Sequence, residues 1–110
     1  MGGTGQAVYF NSNSSKLSSA SNESLNKVAA VLKNNPDVKI KIEGHTDNAE
    51  KDADNLSTQR AEAVKTYLVS KGVNVEKIKV EGSGSTTPIA DNNTAAGKTK
   101  NRRVEIKIKD

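Results

Sequence analysis

The chain of 110 residues carries a formal net charge of +4 and contains no cysteine. A chain of this length can bury roughly two thirds of its unfolded surface, so we expect one domain, residues 1–110, with no room for a second. The absence of cysteine excludes disulfide bonds and thiolate chemistry. Because only 33% of the residues are apolar and 3% are aromatic, the core must be built mainly from aliphatic side chains.

The excess of basic residues is spread along the chain, since Glu43, Glu81 and Glu105 interrupt the lysines. This distribution favours a solvated sheet face over a site for a polyanion. No apolar run approaches the roughly 18 residues of a membrane span, and the opening MGGTG lacks the apolar core of a signal peptide. We therefore expect an excised piece of a longer protein, with any anchor or export signal outside it.

The first third of the chain predicts a short strand followed by a helix. Residues 8–10, VYF, are prone to form a strand, and the Ser- and Asn-rich segment after them is typical of a loop. Ser18 or Ser21 can cap a helix over residues 19–34, which the sequence Asn35-Pro36 ends. The helix is predicted by four apolar residues at i, i+3, i+4 and i+7, namely Leu25, Val28, Ala29 and Leu32.

The centre of the chain predicts a strand, a polar loop and a second helix. Isoleucines alternate with charged residues over 39–43, which is the period of a strand with one buried face. After the loop, apolar residues recur at helical spacing over 56–71, and Gly72 supplies a cap at the end.

Two further strands follow. Ile78 and Val80 alternate with charged residues over 76–81, which predicts the third strand. The long connection 82–102 has few apolar residues in its second half, so we expect a loop with at most one helical turn there. The fourth strand is predicted by a last alternating series, whose apolar members are Val104, Ile106 and Ile108.

These elements predict an α+β fold, a two-layer sandwich in which helices pack on one face of a four-stranded sheet. The strands alternate aliphatic and charged residues, whereas a sheet covered on both faces would be apolar throughout. The simplest connection is a right-handed crossover between parallel strands, with helix 1 joining strands 1 and 2 and helix 2 joining strands 2 and 3. The direction of the last strand stays open.

The carboxyl ends of three parallel strands would share one edge of the sheet, where open α/β sheets tend to bind ligands. We expect Asp47 and Arg60 to face one polar pocket at this edge, because long side chains lean toward the N-terminus of their helix. A carboxylate beside a guanidinium matches an amino-acid head group, which carries an ammonium and a carboxylate. Alternatively, Asp47 and Arg60 pair with each other, or Asp47 stabilises its own loop.

Three motifs, GHTDN at 44–48, LSTQRAEAV at 56–64 and NRRVEIKI at 101–108, together resemble the OmpA-like peptidoglycan-binding domain. The resemblance covers residues 8–108 and implies a mixed sheet. It also implies that Asp47 and Arg60 hold the amino and carboxylate groups of diaminopimelate in the peptidoglycan stem peptide. The remaining ligand-binding residues that it implies are Phe10, Asn11 and Leu56.

The chain departs from the family pattern at several places. Asn11 stands where an aspartate is usual, and Glu50 stands where the family typically has glycine. The segment between Asp47 and Arg60 is also two residues shorter than usual. Asn55 is therefore a candidate for the cap of the second helix and for a place in the site.

The resemblance implies a non-catalytic, non-covalent domain, without cofactor or metal, that tethers an envelope protein to the cell wall. It implies a periplasmic location in an outer-membrane protein or lipoprotein. If Arg60 holds the ligand carboxylate, walls with free diaminopimelate should bind better than walls in which that carboxylate is amidated.

Two other classes of function stay open from the residues alone. One is an RNA- or polyanion-binding module, which would place bases on sheet aromatics, although strands 2, 3 and 4 contain none. The resemblance argues against a nucleic-acid partner. The other class is a protein-interaction domain without a small ligand.

The sequence also allows three other sites, for a phosphate, for a metal and for a catalytic triad, each with weaker support. Arg102 and Arg103 are mainly structural in the family but could bind a phosphate. His45 could begin a metal site, yet the chain offers no second histidine. A catalytic triad of His45 and Asp47 with Ser83 or Ser85 lacks the sequence of a nucleophile elbow.

Overall fold

The computed structural model describes residues 7–109, so the opening MGGTG and the ends of the predicted domain lie outside the described residues. The described elements are, in chain order, β1 (Ala7–Tyr9), α1 (Ser19–Lys33), β2 (Lys39–Gly44), α2 (Ala53–Ser70), β3 (Ile78–Gly82), α3 (Ala95–Asn101) and β4 (Arg103–Lys109). One 3-10 turn, Val75–Lys77, leads into β3.

The four strands form one mixed sheet in the order β1-β4-β2-β3. β2 and β3 are parallel, and β4 is antiparallel to both β1 and β2. β1 and β2 therefore run in the same direction, as predicted, but β4 lies between them. The mixed sheet that the resemblance implied is confirmed.

The first helix follows its sequence pattern closely. Ser18 caps α1 by accepting a hydrogen bond from the Ser21 backbone N–H at 3.1 Å. This bond satisfies one of the free N–H groups at the helix start. The buried side of α1 includes the four predicted apolar residues, Leu25, Val28, Ala29 and Leu32.

The second helix starts three residues earlier than the sequence predicts. Asp52 is its N-cap residue in a left-handed conformation with φ of 52°, and its carbonyl accepts from the Leu56 N–H at 2.9 Å. The prediction that Asn55 caps this helix is wrong, because the short loop turns directly into a helix at Ala53. Asn55 lies in the first turn of α2.

One hydrophobic core lies between the sheet and the helices α1 and α2. Arg103–Lys109 alternates as expected, with Val104 and Ile106 buried, but Ile108 is 43% exposed and falls beyond the core. The opposite face of the sheet carries ion pairs of lysine with glutamate. The two-layer α+β prediction is confirmed.

The connection between β3 and β4 contains more structure than the sequence suggested, because α3 has two turns and a cap at Thr94. Fully buried Asn101 ends this helix. Its side-chain oxygen accepts from the backbone N–H groups of Ile89 and Ala90 at 2.8 and 3.1 Å. The side-chain amide of Asn101 thereby holds in place the segment before α3, which has few apolar residues of its own.

Candidate functional site

Two loops meet at the edge of the sheet where β1 and β2 end. We call this region the rim and define it as residues 10–14 and 45–52. The rim lies against the first turns of α2, which carries Arg60 on its buried side.

Arg60 holds the two rim loops together from inside the protein. Its side chain is fully buried, and the guanidinium donates to the backbone carbonyls of Ser14, His45 and Asn11 at 2.8, 3.0 and 3.1 Å. The remaining two N–H groups donate to the carboxylate of Glu50. All five donors of the guanidinium are therefore used within the chain.

Glu50 is the partner of Arg60 and is itself 8% exposed. Its Oε1 accepts from Arg60 Nη1 at 2.7 Å, and its Oε2 accepts from Arg60 Nη2. The carboxylate also accepts from the backbone N–H groups of Asp47, at 3.1 Å, and Asn13, at 2.6 Å. A bidentate contact of this kind between guanidinium and carboxylate is among the strongest polar contacts in proteins.

Asp47 does not contact Arg60 but forms its ion pair with Arg102. Its Oδ2 accepts from Arg102 Nη1 at 3.1 Å, and its Oδ1 accepts from the backbone N–H groups of Ala49 and Glu50 at 2.8 and 2.9 Å. Arg102 also donates to the Phe10 carbonyl at 3.1 Å. This network ties the loop after β2 to the start of β4.

The other predicted site residues divide between two clefts. Phe10 is buried, and the centre of its ring lies 5.3 Å from the Arg60 guanidinium carbon. Phe10 lines a cleft of about 150 Å³ together with partly exposed Arg102 and exposed Asn11. Exposed Asn55 and buried Leu56 line a different cleft of about 400 Å³. Neither cleft is lined by Asp47 or Arg60.

Two geometric expectations are consequently wrong. Arg60 does not face an open polar pocket, because the rim covers it, and Asp47 does not pair with it. The alternative in which Asp47 stabilises its own loop is confirmed by its two backbone hydrogen bonds.

Sequence reasoning missed the roles of Glu50 and Arg102. The signal for Glu50 was present, since a charged residue replaces the usual glycine in a shortened loop. A buried guanidinium needs a compensating anion, and the nearest carboxylate on the shortened loop supplies it.

His45 lies on the sheet face opposite the core, near Glu43 and Glu105. The facing ligand atoms of these three side chains lie within 4.8 Å of one another, and neither ring nitrogen of His45 has a hydrogen-bond partner among residues 7–109. The Lys107 ammonium, however, contacts Glu43 at 2.6 Å and Glu105 at 3.4 Å, where it supplies the positive charge that a metal would bring. The absence of a bond to His45 also leaves the possible triad with Ser83 or Ser85 unformed.

Burial lowers the pKa of His45, and the positive charge of Arg103 lowers it further. Burial acts to raise the pKa of Glu43, but hydrogen bonds from Lys107 and Lys41 outweigh it, so that the pKa of this carboxyl is lowered. The same balance, with Arg103 as the main donor, lowers the pKa of Glu105. At neutral pH these shifts favour a neutral histidine beside two ionised carboxylates.

The fold and the three motifs define a member of a known domain family. The sequence matches the OmpA family over residues 9–102, and the chain belongs to that family. It is 45% identical over 107 residues to the peptidoglycan-binding protein ArfA of Mycobacterium tuberculosis, a match that covers 96% of this chain and 33% of ArfA. The chain thus spans about a third of the length of the curated relatives that it matches first.

Solved structures agree with this assignment. The peptidoglycan-associated lipoprotein of Burkholderia pseudomallei superposes with a TM-score of 0.89 at 28% identity, over 94% of this chain and 89% of that one. The C-terminal domain of MotB from Helicobacter pylori gives a TM-score of 0.90 at 29% identity, over 96% and 84% of the two chains. Among the described residues, no helix is both long and apolar enough to cross a membrane.

Proposed function

We propose that this domain binds peptidoglycan non-covalently, through the diaminopimelate of the stem peptide, and thereby tethers a larger envelope protein to the cell wall. The binding is non-catalytic and requires no cofactor. The observation that carries the proposal is the similarity, over nearly the whole chain, to a relative named as peptidoglycan-binding. The peptidoglycan-associated lipoprotein shares the same fold, which supports a place for this domain in the periplasm, in a protein anchored at the outer membrane.

The proposed contact region is the rim together with the two clefts that rim residues line. Asp47 is the proposed partner of the ligand ammonium, because its Oδ2 already accepts from a cationic donor, Arg102 Nη1 at 3.1 Å, whose place an ammonium can take. Arg60 contributes from inside by holding both loops in place. The remaining proposed contacts are Phe10, Asn11, Asn55 and Leu56.

A polyanion-binding function receives less support from the charges. Lys41 contacts Glu43 at 3.1 Å and Glu81 at 2.9 Å, and Lys107 contacts Glu43 and Glu105. Lysines that already have acidic partners add little to an attractive field for phosphates. The protein-interaction alternative has no comparable observation in its favour.

Co-sedimentation with purified peptidoglycan tests the proposal. We expect the domain to sediment with the wall, and we expect Asp47→Asn to weaken binding by at least about tenfold, since a charge-assisted contact is lost. Asp37→Asn, at an exposed position, is the matched control. Amide spectra of both variants should first establish that the fold is kept.

Equal sedimentation of Asp47→Asn and the unchanged protein would contradict the assignment of Asp47. Binding to RNA that falls steeply with salt and ignores Asp47→Asn would instead favour the polyanion class.

A further inference from the structure

The rim contains a complete carboxylate-binding site, and a residue of the chain itself fills it. The two oxygens of Glu50 receive two N–H groups of Arg60 and the backbone N–H groups of Asp47 and Asn13. Four convergent donors, one pair of them on a guanidinium, are what a protein uses to hold an organic carboxylate. The side chains of Arg60 and Glu50 are 0% and 1% exposed, so the contact is shielded from water.

A ligand carboxylate could reach Arg60 only by displacing Glu50. The guanidinium has no free donor, because its other three N–H groups are bonded to the carbonyls of Asn11, Ser14 and His45. A second carboxylate beside Glu50 would place two negative charges in a buried space, which is unfavourable. Displacement would in turn leave Glu50 without its partner.

The charges around the site are already balanced. Asp47 pairs with Arg102 and Glu50 pairs with Arg60, so two carboxylates face two guanidinium groups. Of the two pairs, the one containing Arg102 is closer to solvent, since the Arg102 side chain is 15% exposed and that of Asp47 is 3% exposed. An incoming ammonium can therefore reach Asp47 by taking the place of the Arg102 guanidinium at Oδ2, which leaves the buried pair undisturbed.

We propose that Glu50 acts as an internal substitute for the ligand carboxylate on Arg60, so that the domain recognises the amino group of the stem-peptide residue and does not require its free carboxylate. This inference rests on the proposed function and specifies its ligand class. Amidated diaminopimelate, which keeps the ammonium and loses the acid, is accepted at least as well as the free form. The preference for the free over the amidated carboxylate, which the family resemblance led us to expect, is thereby removed or reversed.

Two synthetic stem peptides that differ only in amidation of the diaminopimelate carboxylate test the proposal on the unchanged domain. Calorimetric or NMR titration should give an affinity for the amidated peptide equal to or greater than that for the free acid. A preference of tenfold or more for the free acid would overturn the proposal.

The variants Glu50→Gln and Glu50→Ala test the role of Glu50 directly. Removal of the Glu50 charge should free two N–H groups of the Arg60 guanidinium for the ligand carboxylate. The affinity for the free-acid peptide relative to that for the amidated peptide should therefore rise by at least about tenfold. Glu62→Ala, at an exposed position on α2, is the matched control and should leave the ratio unchanged. An unchanged ratio in both Glu50 variants would contradict the proposal.

Acetate provides a readout that does not depend on the cell wall. It should raise the melting temperature of Glu50→Ala, by filling the vacated site, and should have little effect on the unchanged protein or on Glu62→Ala. If Glu50→Ala folds only when acetate is present, that rescue supports the proposal equally. The absence of any specific effect of acetate would contradict it.

Failure of this inference can be distinguished from failure of the proposed function. If neither peptide binds the unchanged domain or the Glu50 variants, the proposed function is wrong and this ligand class is wrong with it. If both peptides bind but the free acid is preferred throughout, only the inference is overturned.

Discussion

At the scale of single residues, the buried pair of Glu50 and Arg60 connects the two rim loops through one set of hydrogen bonds. Either partner alone would leave a charge in a space without water, which is far more costly than loss of an exposed pair. The pair therefore stabilises the rim only as a unit.

Arg60→Ala should lower the free energy of unfolding by about 3–5 kcal/mol, because Glu50 would remain buried and unpaired. The double variant with Glu50→Ala should be less destabilised than the sum of the two single variants. Urea unfolding of the three proteins measures this coupling. Additive losses would mean that the two side chains do not act as a pair.

His45 should make stability depend on pH. In the folded protein its pKa is lowered by burial and by Arg103, while in the unfolded chain it stays near about 6.5. As the pH falls below that value, the unfolded state takes up a proton that the folded state does not, so the free energy of unfolding falls. The groups facing His45 are Glu43 on β2 and Arg103, Glu105 and Lys107 on β4.

His45→Gln should flatten this dependence between pH 7 and about pH 5. The lowered pKa values of Glu43 and Glu105 act in a more acidic range, as the pH falls through and below about 4.3, where both proteins should lose stability. Thermal melts over a pH series measure both ranges. Parallel curves for the two proteins above pH 5 would contradict the prediction.

The sequence predicts that Asp47 and Arg60 lie at this edge of the sheet but not which residues they pair with. Asp47 and Arg60 were placed at this edge by strand and helix periodicity, and both lie there. Their partners depend on how a shortened loop closes over Arg60, and periodicity contains no information about that path. Arg102 reaches Asp47 from the far end of the chain for the same reason, since only the completed sheet brings them together.

At the scale of elements, the sheet and α2 approach closely at Gly44. A Cβ atom built on Gly44 would lie 1.8 Å from the backbone carbonyl oxygen of Ser57. The helix backbone, rather than a flexible side chain, is the obstacle, so it could accommodate a methyl group only by moving away from β2.

Gly44→Ala should therefore destabilise the domain by at least about 1–3 kcal/mol, the usual cost of overpacking. Thr66→Ala, at an exposed position of α2, is the control and should change stability by less than about 0.5 kcal/mol. Denaturant titration of the two variants measures the difference. A neutral Gly44→Ala would mean that α2 is not packed against β2 at this distance.

The last three strands and the first helix were predictable at this scale because each has a strong alternation or an apolar stripe. The starts of α2 and α3 were not, because Ala53 and Ala95 follow polar loops and lie outside any apolar period. Helix starts of this kind depend on backbone geometry, such as the left-handed conformation of Asp52.

At the scale of the whole molecule, the two-layer arrangement separates side chains buried between the sheet and the helices from side chains exposed on the opposite sheet face. Val64 is fully buried between α2 and the sheet, whereas Lys79 is exposed on the opposite sheet face. Substitutions at these two positions should therefore differ greatly in cost.

Val64→Asp should unfold the domain, because it buries an unpaired charge, while Lys79→Glu should alter stability by less than about 0.5 kcal/mol. Differential scanning calorimetry of both variants is sufficient to compare them. Similar shifts in melting temperature would contradict the two-layer arrangement.

The position of β4 between β1 and β2 also constrains the order in which the domain can fold. Val8 pairs with Val104, so β1 finds its neighbour in the sheet only after almost the whole described chain is available. Contacts between residues so distant in sequence slow folding, because a large loop must close before they form. During synthesis β1 would therefore stay unpaired until β4 is available, and the rim contact between Asp47 and Arg102 could form only at that stage.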